Sequence, residues 1–205
     1  MTTTTDPGAP SAPRRSAPGR LELVRQFVNT SDIAERDEEL TSVEALRAWL
    51  RERKLIGPRD RLAPEDLERA LEIREALRDL LEERSHGSVD EVAVRALNAV
   101  PAGALLRVAF DPLGAPRLEP VAEGLDRALG ALFAIIQGAA VDGTWDRLKV
   151  CADEGCRWAY YDHSRNRSRS WCNMAVCGNR SKARSYRRRH GAVPGQPPQA
   201  RSEPA

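Results

Sequence analysis

SRNRSRSWCNMAVCGNRSKARSYRRRH, residues 164–190, sets two of the chain's four cysteines among nine arginines and lysines. Working outward, Cys172-x4-Cys177 has a counterpart in Cys151-x4-Cys156, with fifteen residues between the two pairs. Two close pairs joined by a short loop suit a tetrahedral zinc, because each tight turn supplies two thiolates and the intervening chain brings the turns together. RLKV before Cys151 and WAYYD after Cys156 have strand character, which predicts a knuckle between two strands for the first pair. Cys177-Gly178 opens NRSKARSYRRRH, a predicted helix, so the last thiolate falls near a helix N-terminus, where negative charge is favoured. Knuckle, hairpin and helix together predict a treble-clef-like zinc finger. With Cys151, Cys156, Cys172 and Cys177 as ligands, one Zn2+ has no open coordination position, and its expected role is structural.

Other thiol chemistries fit less well. Redox use favours C-x-x-C, which this chain lacks. A four-cysteine iron–sulfur cluster usually has tighter spacing. A cysteine nucleophile needs a base, for which His163 and His190 are the local candidates. His163 could replace one thiolate, but four cysteines make that unnecessary, and it reads as a loop residue.

Charge divides the chain at the same place. Residues 21–144 carry 16 Lys and Arg against 24 Asp and Glu, a balance of −8, whereas residues 145–190 carry 12 against 4, a balance of +8. An acidic body followed by a basic module suggests two units, the second facing a polyanion. Arg180, Arg184, Arg187 and Arg188 recur at helical steps, and Arg165, Arg167 and Arg169 line the loop before Cys172. Guanidinium forks bind phosphates, so Arg165, Arg167, Arg169, Arg180, Lys182, Arg184, Arg187, Arg188 and Arg189 are the candidate nucleic-acid contacts. Asn166, Asn173 and Arg184 are candidates for base edges by type alone. Blander roles compete: Arg157 and Arg180 as counter-charge to a dianionic zinc cluster, and RRRH as a solvated tail. Gly178 is expected to allow close backbone approach, Asn179 to hold a turn, and Trp158, Tyr160, Tyr161 and Trp171 to fill the small finger's core.

The body reads as mainly helical. LELVRQFVNT (21–30) predicts a short amphipathic helix with Leu21, Val24, Phe27 and Val28 on one face, ended by Asn29-Thr30. Thr41 with Glu44 forms a capping-box pattern ahead of Val43, Leu46, Trp49 and Leu50, and Gly57-Pro58 stops that run. Pro64 opens the clearest helix, with the stripe Leu67, Ala70, Leu71, Leu77, Leu80 and Leu81, and Gly87 stands at its expected C-cap. Ser88 and Glu91 cap a shorter helix. ALLRVAF and RLEPV around DPLGAP predict one hairpin, and a helix follows from about Ala122 to Val141. Residues 1–20 and 191–205, rich in Pro, Ala, Gly and Ser, read as disordered tails. No stretch resembles a signal peptide or a run of about 18 apolar residues, so a cytoplasmic protein without membrane contact is expected. The body offers no phosphate loop and no HExxH, and its one His, His86, reads as a loop residue. No enzymatic activity is expected.

Trp171-Cys172-x-Met174-x-x-Cys177-Gly178-Asn179-Arg180, with Tyr161-Asp162-x-Ser164-Arg165-Asn166 before it and Lys182-Ala183-Arg184 after it, closely resembles the CGNR zinc-finger family. Those proteins carry the finger behind an α/β domain called ABATE and are described as stress-induced transcription regulators of bacteria. LELVRQFVNT and ALEIREALRDLL resemble that domain, so the likeness spans about residues 20–190. It implies an α+β fold with a mainly helical N-terminal domain (21–144) carrying a small β-hairpin, and a C-terminal finger (145–190). The expected function is zinc-dependent DNA binding by a transcription regulator, with a small-molecule effector or protein partner for the body. The alternatives are RNA or ribosome association, a protein–protein adaptor, and an enzyme with an unrecognised pocket. Oligomeric state and target are not encoded in any motif. If finger and body are separate units, Cys172→Ser would unfold the finger alone.

Overall fold

The computed structural model describes residues 16–86, 91–99 and 104–189, except for the side chains of Ser85, His86 and Arg189. The expected tails 1–15 and 191–205, the caps at Gly87 and Ser88, the His86 side chain and His190 lie outside the described residues.

The first helix, α1 (Leu21–Val28), buries Leu21, Val24, Phe27 and Val28 as its periodicity predicts. The segment before it was expected to be disordered through residue 20, but residues 16–20 are described and tied down. Ala17 is buried, and its N–H donates to Glu22 Oε2 at 2.7 Å. After α1 comes a ribbon absent from the sequence reading, β1 (Ser31–Asp32) paired antiparallel with β2 (Asp37–Glu38). Its strands are two residues long, too short for any alternation to register.

Helix α2 (Val43–Glu52) is capped by Ser42 rather than Thr41: the Ser42 hydroxyl accepts from Ala45 N at 3.1 Å, while Thr41 is exposed. The helix stops at Arg53, ahead of Gly57-Pro58, and Lys54 turns the chain with a φ of 57° so that Leu55 and Ile56 enter the core. Phe27 and Trp49 join α1 to α2 with ring centroids 5.7 Å apart.

Helix α3 (Pro64–His86) is the central strut and touches α1, α2 and the short α4 (Glu91–Asn98). The single predicted hairpin is present, with β3 (Leu106–Phe110) paired to β4 (Pro116–Pro120) in the register Leu106 to Pro120. It lies on α5 (Gly124–Val141) at Gly130, where an added Cβ would sit 3.2 Å from the Pro120 Cβ. Helix α5 is long and apolar enough to cross a membrane by length and composition, but Leu125, Leu129, Leu132 and Ile135 are spent on the core.

The predicted boundary at 144/145 separates charge but not packing. After a 3-10 turn at Trp145–Arg147, β5 (Leu148–Val150) and β6 (Ala159–Tyr161) form an antiparallel pair. Trp145, Leu148, Val150, Ala159 and Tyr161 belong to the same buried cluster as Phe27, Leu77 and Leu129. Asn29, expected merely to end α1, instead pairs with β6 as a strand would. Its Oδ1 accepts from Ala159 N, and its Nδ2 donates to Ala159 O, both at 2.8 Å.

Arg78 on α3 has no exposed surface. Its guanidinium donates to the carbonyls of Val28 (2.6 Å), Ser31 (3.2 Å) and Arg157 (3.0 Å) and pairs with Glu75 at 3.0 Å. Helix α3 thereby holds the end of α1, the first ribbon and the strand entering β6 with one side chain. Arg78→Met keeps most of the volume but strands those carbonyls, and is expected to cost about 3–5 kcal/mol in chemical denaturation. Glu75→Gln, which removes only a half-exposed partner, is expected to cost under about 1 kcal/mol in the same assay.

Candidate metal centre and basic surface

The first cysteine pair sits on the knuckle between β5 and β6. Cys151 N donates to Trp158 O at 3.0 Å, and the N–H groups of Cys156 and Arg157 both converge on Asp153 O, at 2.7 and 3.0 Å. The turn closes with Arg157 in the left-handed region at a φ of 45°. Backbone N–H groups of Asp153 and Cys172 bond the Cys151 sulfur, and that of Trp158 bonds Cys156.

The second pair is shaped by a π-helical turn at Met174–Gly178, which leads into α6 (Asn179–Arg189). Asn173 caps this turn: its Oδ1 accepts from Ala175 N (2.9 Å) and Val176 N (3.3 Å). The extra residue per turn lets a four-residue spacing deliver both sulfurs to one point, since Cys177 N and Gly178 N both bond Asn173 O.

Cys151, Cys156, Cys172 and Cys177 bring their four sulfurs within 4.8 Å of one another, with Cys156–Cys172 at 3.6 Å and Cys172–Cys177 at 3.7 Å. A tetrahedral zinc with bonds of about 2.3 Å requires sulfur separations of about 3.8 Å, so the donor set fits the ion. The thiols' acidities point the same way. Hydrogen bonds from Cys156 and Cys172 pull Cys151 down to about 4, whereas the resulting thiolate and burial push Cys156 and Cys172 up. Four thiolates can coexist there only around a cation, and the protein holds one structural Zn2+.

The predicted finger residues divide into those with partners inside the protein and those left to solvent. Asp153, which no local sequence pattern marks, is fully buried in the knuckle. It pairs with Arg184 and lies 2.8 Å from Arg180 Nε, while Arg180 Nη2 reaches the Cys177 sulfur at 3.4 Å. Arg180 therefore takes the counter-charge role, and Arg184, a predicted phosphate and base contact, is held against the finger. Arg157 turns from the zinc to α3, where Glu82 (2.8 Å) and Asp79 accept from its guanidinium. Asn173 is occupied as the cap, and Asn179 donates to Ala175 O at 2.8 Å in the expected structural role. Gly178 yields space to a side chain rather than to backbone, because a Cβ there would lie 2.6 Å from Met174 Sδ.

Tyr160 is buried against the cysteines with Trp158 and Trp171 packed around them, whereas Tyr161 joins the body's core. His163 stays out of the sulfur cluster and meets Ser16 O at 3.0 Å through Nε2.

A second buried carboxylate, Asp162, shapes the arginine loop. Its Oδ1 accepts from Ser164 N (2.9 Å) and Oγ (2.6 Å), and its Oδ2 from Arg169 N (3.0 Å) and Lys149 Nζ (2.9 Å). Lys149 Nζ also bonds the carbonyl of Arg167. Burial would raise the Asp162 pKa, but the bonds from Ser164 and Lys149 outweigh it and bring the group to about 2. The loop is thus pinned from inside, which leaves Arg165 and Arg167 exposed and Arg169 half-exposed. Lys182, Arg187 and Arg188 stand exposed on α6. The Arg189 side chain, a predicted contact, lies outside the described residues.

Two family models match this architecture: "CGNR zinc finger" over residues 147–190, and ABATE, whose description is "Putative stress-induced transcription regulator", over residues 21–143. The chain belongs to the ABATE family. Among curated proteins none matches it. Within this ABATE chain, the FVNT and ALEIREALRDLL segments contribute Asn29 and Arg78, whose bonds run directly to the CGNR finger.

Because finger and body share a core, Cys172→Ser is expected to release zinc and also lower the body's unfolding midpoint, correcting the expectation of a separately folding finger. Zinc stoichiometry, together with denaturation followed in the body, distinguishes the two outcomes; an unchanged body midpoint would contradict the shared core. Asp162→Ala should cost about 3 kcal/mol at neutral pH and speed amide exchange across residues 164–169. Because the folded pKa is depressed, the stabilisation is complete above the unfolded value near 4 and fades only as pH falls towards about 2.

Proposed function

We propose that this protein is a non-catalytic, cytoplasmic transcription regulator that grips DNA through the CGNR finger. The observation that carries the reading is how the finger's cations are shared out. Asp153 and the zinc thiolates occupy Arg180 and Arg184, and α3 occupies Arg157. Arg165, Arg169, Lys182, Arg187 and Arg188 form no ion pair among the described residues, and Arg167 only a 3.9 Å contact with Asp146. Six such cations on a zinc-stapled frame exceed what internal charge compensation needs, and a row of phosphates is the partner that suits them.

A phosphate-dominated interface loses affinity with salt. With about six phosphates neutralised, affinity of the zinc-loaded protein for duplex DNA should fall by roughly 10³ between about 50 and 200 mM salt in fluorescence anisotropy. Arg187→Ala with Arg188→Ala should flatten the slope by about two phosphate equivalents. No binding of duplex or single strand at low salt would sink the reading.

One observation favours a second target. The half-buried Trp171 lines an open cleft of about 590 Å³ with Ser181, Lys182, Ser185 and Arg188, a setting in which an unpaired base could stack beside cations. Tighter binding of an unstructured RNA than of duplex, lost in Trp171→Ala, would move the assignment to RNA.

A further inference from the structure

The body, acidic as a whole, contains one strongly cationic recess. It lies between α5, strand β4 and the turn after α2, has a volume of about 300 Å³, and collects Arg20, Lys54, Arg107, Arg117 and Arg127. One carboxylate, Glu119, shares the lining and is held by Arg107 at 3.2 Å and Arg117 at 2.7 Å. Arg20, Lys54 and Arg127 form no ion pair among the described residues, and all three are exposed.

Two of these cations are placed at some energetic cost. Lys54 sits at a φ of 57°, a backbone region unfavourable to any residue with a Cβ. Arg127 stands in the first turn of the 18-residue α5, where the helix dipole opposes positive charge, while its neighbour Asp126 is engaged by Arg69. Like charges gathered in one recess repel unless something negative joins them. An anion would offset the charge at the start of α5 and the mutual repulsion.

The recess also has an apolar wall. Leu55 is buried behind Lys54, and Leu118, Pro120 and Ala131 face the same space. It adjoins a larger cavity of about 470 Å³, with which it shares Arg20, Arg117, Leu118 and Ala134. A concave site with apolar walls and convergent charges is the build of a small-molecule pocket. Duplex DNA presents a convex phosphate ridge that cannot reach such a wall, and the body's balance of −8 repels it.

We propose that this recess binds a small organic phosphate, its dianion held by Lys54, Arg20 and Arg127 and its apolar part lying on Leu55, Leu118 and Ala131. A single carboxylate is satisfied by one arginine fork; three uncommitted cations suit the higher charge and extra acceptors of a phosphate monoester. The site lies in the body and is independent of the finger's nucleic-acid reading.

The test uses the zinc-loaded full chain and three probes: phenyl phosphate, inorganic phosphate and phenol, titrated by NMR. Phenyl phosphate is expected to bind saturably and shift Leu55, Leu118 and Ala131, with inorganic phosphate weaker by about tenfold and phenol without effect. Lys54→Gln with Arg127→Gln, both at exposed positions, should weaken phenyl phosphate by about tenfold or more without lowering the ligand-free unfolding midpoint. Absence of saturable binding up to about 10 mM, or equal binding by the double variant, overturns the proposal. Equal affinity for inorganic phosphate removes the organic ligand. Displacement of phenyl phosphate by duplex DNA, with the double variant losing DNA affinity as Arg187→Ala with Arg188→Ala does, would make the recess part of the nucleic-acid surface and overturn it as well.

Discussion

The buried guanidinium of Arg78 is the constraint on which the rest of the molecule depends. Three carbonyls from two stretches of chain distant from α3 in sequence, Val28 and Ser31 in one and Arg157 in the other, turn towards it. A carbonyl buried without a donor is costly, so these turns can pack against α3 only while Arg78 is present. Glu75 offsets its charge, and burial lowers its pKa without bringing it near neutrality at physiological pH. Lysine could not substitute, because a compact ammonium cannot span three carbonyls in fixed fork geometry.

A second partition, between cations held in ion pairs and cations left without them, decides what the finger can do. Zinc thiolates and Asp153 draw in Arg180 and Arg184, while Asp79 and Glu82 draw Arg157 onto α3. Asp162 does the opposite for the preceding loop: by accepting from Arg169 N and from Lys149, it fixes the backbone and leaves the arginine side chains unclaimed. Charge counting along a chain cannot separate these two populations, since an arginine at a helical step looks the same whether its neighbour in space is a buried carboxylate or solvent.

That limit explains which parts of the structure were legible in the sequence. The four cysteines, their knuckle and the six α-helices among the described residues follow from local rules, chiefly spacing and period. Arg78 and Asp153 did not stand out, Asn29 did so only as the end of α1 and Asp162 only within the Tyr161-Asp162 motif, because these residue types are ordinary on surfaces and the partners of Asn29, Arg78 and Asp153 lie far along the chain. Asp153 and Asp162 did leave one signal. They are two of four acidic residues in a strongly basic module, and a carboxylate kept amid so many cations invites a structural reason. Sequence alone does not separate Ser42 from Thr41 as the cap, because both residues can cap and the choice rests on which one reaches the Ala45 N–H.

The same network sets what any signal from body to finger must act upon. Arg20 lines the cationic recess and directly precedes α1, while the far end of α1 gives the Val28 carbonyl to Arg78 and is followed by Asn29, which pairs with Ala159. Eight helical residues span about 12 Å, so the recess and the strand behind the zinc knuckle lie at opposite ends of one rigid element. A short helix with both ends tethered does not stretch; it can shift or tilt only as a unit, and a shift loosens either the Asn29 pair or the Arg78 fork. Any ligand that draws Arg20 can therefore influence the finger only to the extent that it binds two positions of α1 differently. By linkage, whatever the finger grips would change that ligand's affinity by the same factor. Among the described residues, bonds from the body reach the finger at residues 28–31, where α1, the first ribbon, α3 and β6 meet, and also at Arg157 from Asp79 and Glu82 and at His163 from Ser16, so a coupling has more than one route.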